Sequence, residues 1–453
     1  MHHPTLLALV SCALALTNAS VLASNTPQFC GGDVPTTDLS TPSPAVSESS
    51  TTAPTTSDIS VSTPDVTDVP TTAPEVTDSP STAAGATEAP ASDASVTEAP
   101  TTVPTATIPP TSNLVDTGSV TSDVSDAVPS TSSLPVFYFH GIVGEGTAGD
   151  NIGRNLTAEG RVFVELTFCQ NDCSIESLLT QVPLAIAQVR DTVANNSQFD
   201  DGYVFIGHSQ GGAIARAVIE EMDDHNVRSF LSLAGIQNGL FTGPADAEAA
   251  AQAGAAWPNT LVPATVFNFS KYSHDDYFGQ LQYDYAVFTE QNADVQYQYS
   301  QLNLARSPVH AEWAASNPFL PVINNINPCE TTDTQCLADQ ARRKANFLRL
   351  EAAHFFSSPG DGSVTPWKSS LLGQCSELDT LDQIITDFES LTVLDMTETL
   401  EYTSDTYGLR TLDERGGLFL HEAPDVSHSC WVRDESTCVF QPVYDEYIYP
   451  ALQ

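Results

Sequence analysis

One stretch decides the architecture predicted for this chain: residues 202–222, which read GYVFIGHSQGGAIARAVIEEM. Residues 202–206 form a short apolar run typical of a buried strand, and residues 210–222 return to the spacing of a helix. Between them, residues 207–211 fit the pattern G-x-S-x-G, in which Ser209 occupies a turn so tight that glycine is needed on both sides. The turn lifts the serine hydroxyl above the sheet at a helix N-terminus, where N–H groups favour an oxyanion. The sequence therefore predicts a nucleophile at Ser209.

The runs on either side of this stretch alternate between strand and helix. Further strand candidates occupy residues 134–140, 161–168, 229–234, 346–356 and 417–421. Residues 174–193 have apolar side chains at helical spacing, with Ser174 as the expected N-cap and Pro183 as an expected kink. Strands separated by helices predict an α/β fold, with a mostly parallel sheet and helices on both faces. With the serine turn, this pattern predicts the α/β-hydrolase fold. Residues 239–346 break the alternation and are interpreted as a helical lid insertion.

One acid candidate and two histidine candidates follow Ser209 along the chain. An α/β hydrolase presents its acid after the nucleophile and its histidine after the acid. Asp361 lies in the turn SSPGDG, just past an apolar run, and is the predicted acid. His428 lies in a loop past the last predicted strand and is the predicted base, because a loop histidine can reach over the serine turn. His421, at the end of that strand, is the competing candidate.

Two backbone N–H groups are predicted to form an oxyanion hole. One comes from the residue after the nucleophile, Gln210, and the other from the loop after the first strand. That loop reads His140-Gly141-Ile142, so Ile142 is expected to supply the second N–H.

The composition excludes one class of partner. The chain has 453 residues, a formal net charge of −42 and only 15 basic residues, none of which precedes Arg154. A nucleic-acid-binding protein needs clustered Lys and Arg to displace counterions, so no nucleic acid is expected as a partner. An acidic compartment would protonate part of the excess carboxylates and relieve their repulsion, which is compatible with a lysosome or an acidic exterior.

The amino-terminal third differs in composition from the rest. Residues 6–16, LLALVSCALAL, are too few to span a bilayer, which takes about 20 residues, and residues 1–23 are interpreted as a secretory signal peptide. Residues 24–133 are rich in Thr, Ser and Pro and are interpreted as a disordered acidic stalk that contacts a wall or matrix. Residues 134–453 form the predicted globular domain, and no membrane anchor is expected. Three sequons in this domain are consistent with export: Asn155, Asn195 and Asn268.

The cysteines favour disulfides over a metal site. Nine are present, and eight remain if Cys12 leaves with the signal peptide. Three close pairs are expected to be disulfides in an exported chain: Cys169 with Cys173, Cys329 with Cys336, and Cys430 with Cys438. Cys30 and Cys375 are left to pair or to stay free. No pair has C-x-x-C spacing and no histidine cluster accompanies them, so no metal is expected.

Several separate stretches of the globular domain resemble the palmitoyl-protein thioesterases, in particular their second lysosomal type. They read PVFYFHGI, IGHSQGGAIARAVIEEMDDHNVRSFLSLAG, RRKANFLRL, SPGDGSVTPWKSSLLG and YGLRTLDERGGLFLHEAPDVSHSCW, and NPFLPVINN resembles a lid segment near the acyl groove. The resemblance implies Ser209 as nucleophile, Asp361 as acid and His428 as base. The chain departs from the family pattern in its stalk and in an Ala-rich part of the lid, residues 245–256.

The resemblance also implies an activity. Members of this family hydrolyse thioesters of long fatty acids, from S-acylated proteins or peptides or from acyl-CoA, through an acyl-enzyme and without a cofactor. A secreted lipase- or cutinase-like hydrolase of oxygen esters is the alternative, because one triad serves both chemistries. A non-catalytic stalked adhesin is a third reading, which the complete set of Ser, Asp and His disfavours. The expected location is the secretory pathway, either in the lysosome or outside the cell.

Overall fold

A computed structural model describes residues 133–453, which contain a parallel sheet of six strands in the order β2-β1-β3-β4-β5-β8. All five neighbouring pairs in this sheet are parallel. The strands are β1 (Val136–Phe139), β2 (Phe163–Glu165), β3 (Tyr203–His208), β4 (Val227–Leu233), β5 (Ala352–Ser357) and β8 (Leu418–Glu422). The mostly parallel sheet predicted from the sequence is therefore confirmed. The predicted signal peptide and nearly all of the predicted stalk lie outside the described residues.

Helices cover both faces of the sheet, as the sequence predicts. Alternate side chains of β1 and β3 point to opposite faces, so Phe137 and Phe205 join one apolar core while Val136 and Val204 join another. The first core is closed by α2 (Leu178–Ala194), α3 (Gln210–Glu221) and α10 (Thr334–Phe347). The second core is closed by α1 (Asp150–Ala158) and α14 (Phe440–Val443), with the C-terminal turns that follow.

Two boundaries differ from the sequence prediction. The N-cap of α2 is Ser177, whose side chain accepts a hydrogen bond from the Leu179 N–H, and not Ser174. Ser174 belongs to a short 3₁₀ helix, Asn171–Ile175, and its hydroxyl is used elsewhere. The strand predicted at 346–356 begins only at Ala352. The apolar residues before it form the end of α10 and the turn that follows this helix. A short apolar run fits a buried helix end as well as a strand.

The segment between β4 and β5 is helical, as expected for a lid insertion. Its helices are α4 (Pro244–Ala253), α5 (Pro258–Leu261), α6 (Gln280–Gln291), α7 (Ser300–Leu304), α8 (His310–Ser316), α9 (Leu320–Ile323) and α10. Most of these helices have four to twelve residues. Part of the segment has a small apolar core of its own, formed around Val262, Phe267 and Leu302.

The chain after β5 returns to the sheet only once. A two-stranded antiparallel hairpin, β6 (Gln374–Cys375) and β7 (Val393–Leu394), comes first, with α11 (Gln383–Thr386) between its strands. The helices α12 (Leu400–Thr403) and α13 (Leu409–Glu414) then lead into β8 at the edge of the sheet. Within residues 133–453, no helix is both long and apolar enough to cross a membrane.

The three disulfides predicted from sequence spacing are present: Cys169–Cys173, Cys329–Cys336 and Cys430–Cys438. Cys375 is buried and carries a free thiol, while Cys30 lies outside the described residues. Each disulfide closes a short loop, and two of them lie next to segments that reach the candidate site.

Candidate active site

Ser209 occupies the sharp turn between β3 and α3. Its φ of +57° is in the left-handed region that L-residues rarely adopt. The turn is held by backbone bonds: the Ser209 N–H donates to Leu233 O (3.1 Å), and Ser209 O accepts from Ile236 N–H (3.2 Å). A Cβ at Gly207 would lie 2.4 Å from Gly211 O, so the turn closes only with glycine there. The strain at Ser209 is therefore fixed by the elements that flank it.

Three side chains from separate loops form a hydrogen-bonded chain at this turn. Ser209 Oγ lies 2.9 Å from His428 Nε2, and His428 Nδ1 lies 2.8 Å from Asp361 Oδ2. The carboxylate can only accept, so Nδ1 carries the proton and Nε2 is free to accept the serine hydroxyl proton. The structure thus brings together the three residues predicted from the sequence, and the arrangement allows the imidazole to take a proton from Ser209.

The loops that carry the acid and the base are bonded to each other. Asp361 Oδ1 accepts from the N–H groups of Ser363 (2.8 Å) and Val364 (3.0 Å), which fixes the carboxylate. Ser358 Oγ accepts from the Val426 N–H at 2.9 Å, two residues before the histidine. Because both loops follow adjacent strands, β5 and β8, one serine hydroxyl is enough to join them.

The electrostatics of the pair favour a charged carboxylate. Burial would raise the pKa of Asp361, but the His428 imidazole and two backbone N–H groups outweigh it, so the pKa lies below its usual value. Burial would lower the pKa of His428, but the Asp361 carboxylate outweighs it, so the pKa of the imidazole lies above its ordinary value of 6.5. Asp361 therefore stabilises an imidazolium without taking its proton.

The loop after β1 approaches Ser209 closely. A Cβ at Gly141 would lie 3.1 Å from Ser209 Cβ, a tighter contact than most, so the missing side chain at residue 141 favours this close approach. Among the hydrogen bonds of residues 133–453, none is donated by the backbone N–H of Ile142 or Gln210. The loop is supported from behind, where the Val143 N–H donates to Ser174 Oγ at 2.6 Å.

The short disulfide loop next to this segment gives further support. The Asn171 N–H, inside the Cys169–Cys173 loop, donates to Gly144 O at 2.9 Å. The His140 ring lies 2.7 Å from Phe168 O and stacks on the Phe168 ring. In the described part of the chain, the three potential metal ligands that lie together are Cys169, Cys173 and Glu176, and both thiols are used by the disulfide.

The competing histidine lies elsewhere. His421 is on β8, its ring stacks on Phe356 with centroids 4.2 Å apart, and its Nε2 lies 3.1 Å from His354 Nδ1. These contacts occupy His421 on the surface of the sheet, whereas His428 is the histidine that contacts Ser209.

Sequence reasoning missed the residues that hold the site together. Ser358, Ser174 and His208 each bond a backbone group of a distant loop, across 68, 31 and 220 positions. None has a local pattern that distinguishes it from an ordinary serine or histidine. Only the fold brings these partners into contact.

The parallel sheet, the strained serine turn after its central strand, and the acid and histidine after later strands define an α/β hydrolase. The family model for palmitoyl protein thioesterase matches residues 135–428. The chain belongs to this family, and it is a hydrolase of the thioesterase class.

Two relatives named as lysosomal thioesterases agree with this assignment. The chain is 26% identical over 311 residues to the lysosomal thioesterase PPT2 homolog of Drosophila melanogaster, covering 67% of this chain and 88% of that protein. It is 27% identical over 315 residues to lysosomal thioesterase PPT2 of Homo sapiens, covering 68% and 87%. Among solved structures, Bacillus licheniformis lipase BlEst2 matches with 10% identity and a TM-score of 0.34, covering 72% and 94%.

Proposed function

We propose that the chain hydrolyses long-chain fatty acyl thioesters, of S-acylated proteins or peptides or of acyl-CoA, with Ser209, His428 and Asp361 as a catalytic triad. The observation that carries this proposal is the continuous hydrogen-bonded chain from Ser209 Oγ through His428 to Asp361, in a member of the palmitoyl protein thioesterase family.

The proposed reaction has two halves. In the first, His428 Nε2 takes the Ser209 proton while Oγ attacks the thioester carbonyl carbon, and the N–H groups of Ile142 and Gln210 stabilise the oxyanion. The C–S bond then breaks, and the leaving thiolate takes the proton from His428, which leaves an acyl-enzyme. In the second, His428 takes a proton from water, the resulting hydroxide attacks the acyl carbon, and Ser209 regains its proton as the fatty acid leaves.

An apolar groove supports a long acyl group as the substrate. It has a volume of about 460 Å³ between α2, α3 and α9, within the usual range for small-molecule sites. Among its lining residues are Leu178 and Val182, which flank Gln181 on α2. The Gln181 side chain contacts that of Gln210, the residue after the nucleophile, at 3.3 Å. Gln181 thus connects the helix that lines the groove with the residue after Ser209, while the groove's own lining residues lie outside the proposed triad.

The substrate class is tested by offering purified protein equal concentrations of palmitoyl-CoA, an S-palmitoyl peptide and an oxygen-ester lipid. We expect the two thioesters to have the higher kcat/KM. A matched pair of short- and long-chain acyl-CoA measures how much the acyl chain contributes to kcat/KM. We expect the long chain to be preferred, because each buried methylene contributes about 0.8 kcal/mol. Preference for the oxygen ester would favour a lipase, and absence of turnover on all three would overturn the proposal.

We also expect kcat/KM to rise with pH through a value above 6.5, because the catalytic base must be neutral and the pKa of His428 is raised. Below this pKa the rate should fall about tenfold per pH unit. The charged neighbours of the ring are Asp361 and Glu435, which raise the pKa, and Arg433, which lowers it. The measurement is kcat/KM across acidic to alkaline buffers. A profile that stays flat from acidic to neutral pH would contradict the role given to His428.

We propose the secretory pathway as the location, with residues 1–23 as signal peptide and residues 24–133 as stalk. Relatives named lysosomal thioesterases, the three disulfides and the sequons support export. Proteomic detection of the mature chain in culture medium or in isolated lysosomes decides between the two destinations.

A further inference from the structure

His208 lies between the two loops that flank the nucleophile. It is the last residue of β3, it is buried, and its Nε2 lies 2.9 Å from the backbone O of His428. The two imidazole rings are 4.9 Å apart between centroids. The proposed base is therefore contacted at its side chain by Ser209 and at its own backbone by the residue next to Ser209.

The hydrogen bond to the His428 carbonyl determines which nitrogen of the His208 ring carries a proton. A carbonyl oxygen only accepts, so His208 Nε2 carries the proton and donates it. Burial, and secondly the neighbouring His428, lower the pKa of His208 to about 3. The ring is thus neutral in any cellular compartment, and it acts as a fixed donor and not as a pH switch.

The opposite edge of the same ring faces the loop proposed to form the oxyanion hole. A Cβ at Gly141 would lie 3.6 Å from His208 Nδ1, an ordinary packing distance. One imidazole therefore separates the loop of Gly141 from the loop of His428, and both converge on Ser209.

We infer that His208 is a positioning residue that holds His428 over Ser209. It touches no reacting atom and acts through the backbone of the base, so the inference deepens the proposed function and rests on it. Without this bond, the loop is still tied by the Ser358–Val426 and Ser427–Glu435 hydrogen bonds and by the Cys430–Cys438 disulfide. Those ties hold the residues on either side of His428, whereas among the described side chains His208 is the one that donates to the His428 carbonyl.

Three substitutions at one position test this role. In His208→Gln, the amide N–H reaches the place of Nε2, whereas the shorter side chain of His208→Asn reaches only the place of Nδ1. His208→Phe keeps the ring volume but has no donor. We expect His208→Phe and His208→Asn to lose about 10- to 100-fold in kcat with little change in KM, because small misplacements of a catalytic group are costly. His208→Gln should keep most of the activity, and the exposed His274→Gln should keep all of it.

A measurement without substrate separates this inference from the proposed function. The proton between His428 Nδ1 and Asp361 should give a far-downfield proton resonance in the wild-type protein. We expect that resonance to broaden or vanish in His208→Phe and His208→Asn and to persist in His208→Gln, with melting temperatures measured for all variants. Wild-type kcat and an intact resonance in His208→Phe would overturn the inference. If the Phe variant does not fold, equal behaviour of the Gln and Asn variants would overturn it. An inactive wild-type protein would instead count against the proposed function.

Discussion

Ser209→Ala is expected to lower kcat by about 10⁴- to 10⁶-fold, since removing a nucleophile that acts as part of a triad removes nearly all of the triad's contribution. Oγ is the atom of this residue that lies within hydrogen-bond distance of His428. The backbone at residue 209 is expected to keep its φ of +57° in Ser209→Ala, because the bonds to Leu233 and Ile236 use main-chain atoms only. The fold should therefore be unchanged. The measurement is thioester turnover, together with trapping of an acyl-enzyme by mass spectrometry.

A buried serine outside the site provides the matched control. Ser229 lies on β4, and its Oγ has no hydrogen-bond partner among the described residues. Ser229→Ala should therefore leave both turnover and the melting temperature close to wild type. Ser209→Ala with substantial activity and an acyl group still trapped on the protein would move the nucleophile to another residue.

His428→Ala is expected to cost about 10⁴-fold or more in kcat, while His421→Ala should stay within about tenfold of the wild-type rate. His428 Nε2 lies 2.9 Å from Ser209 Oγ and is the proposed acceptor of its proton. His421 instead stacks on Phe356 and bonds His354, so its loss should be seen in the melting temperature more than in the rate. Both rates are measured at one pH above the wild-type pKa.

The reverse order of effects would identify His421 as the base. Added imidazole offers an independent check, since a small base can occupy the space left in His428→Ala. Partial rescue of that variant, and none of Ser209→Ala, would agree with a proton acceptor at position 428.

The serine turn could be predicted because its information is local. Gly207 is needed for a contact within the turn itself, and the flanking strand and helix have strong apolar patterns. Gly211 belongs to the same local motif, although the atoms that a Cβ there would meet, Phe139 O and His140 O, lie at the end of β1. The acid and the base were predicted from their order along the chain and from their places after strands. In a parallel sheet, the loops after the strands lie at one edge of the sheet. The structure brings Asp361 and His428 to that edge, and their catalytic roles stay predictions.

Other features depend on contacts that no local pattern encodes. Ser174 and Ser177 are equally good caps by residue type, and the tertiary position of the 3₁₀ turn decides for Ser177. The apolar residues of segment 346–351 fit a strand as well as the end of a helix. His208 looks like any polar residue in a G-x-S-x-G turn until the His428 carbonyl is placed beside it.

The strands that carry the two halves of the site differ in how many neighbours they have. Ser209 follows β3, which is paired on both sides, whereas the loop of His428 follows β8, which has a single neighbour and exposes Phe419 and Leu420. Peripheral strands are the first to fray under heat or denaturant. We therefore expect activity to be lost before the fold: the loop after β8 can be displaced, and the proposed proton acceptor with it, while the apolar cores are still packed. Storage conditions that protect this outer strand would then preserve activity even where they add nothing to global stability.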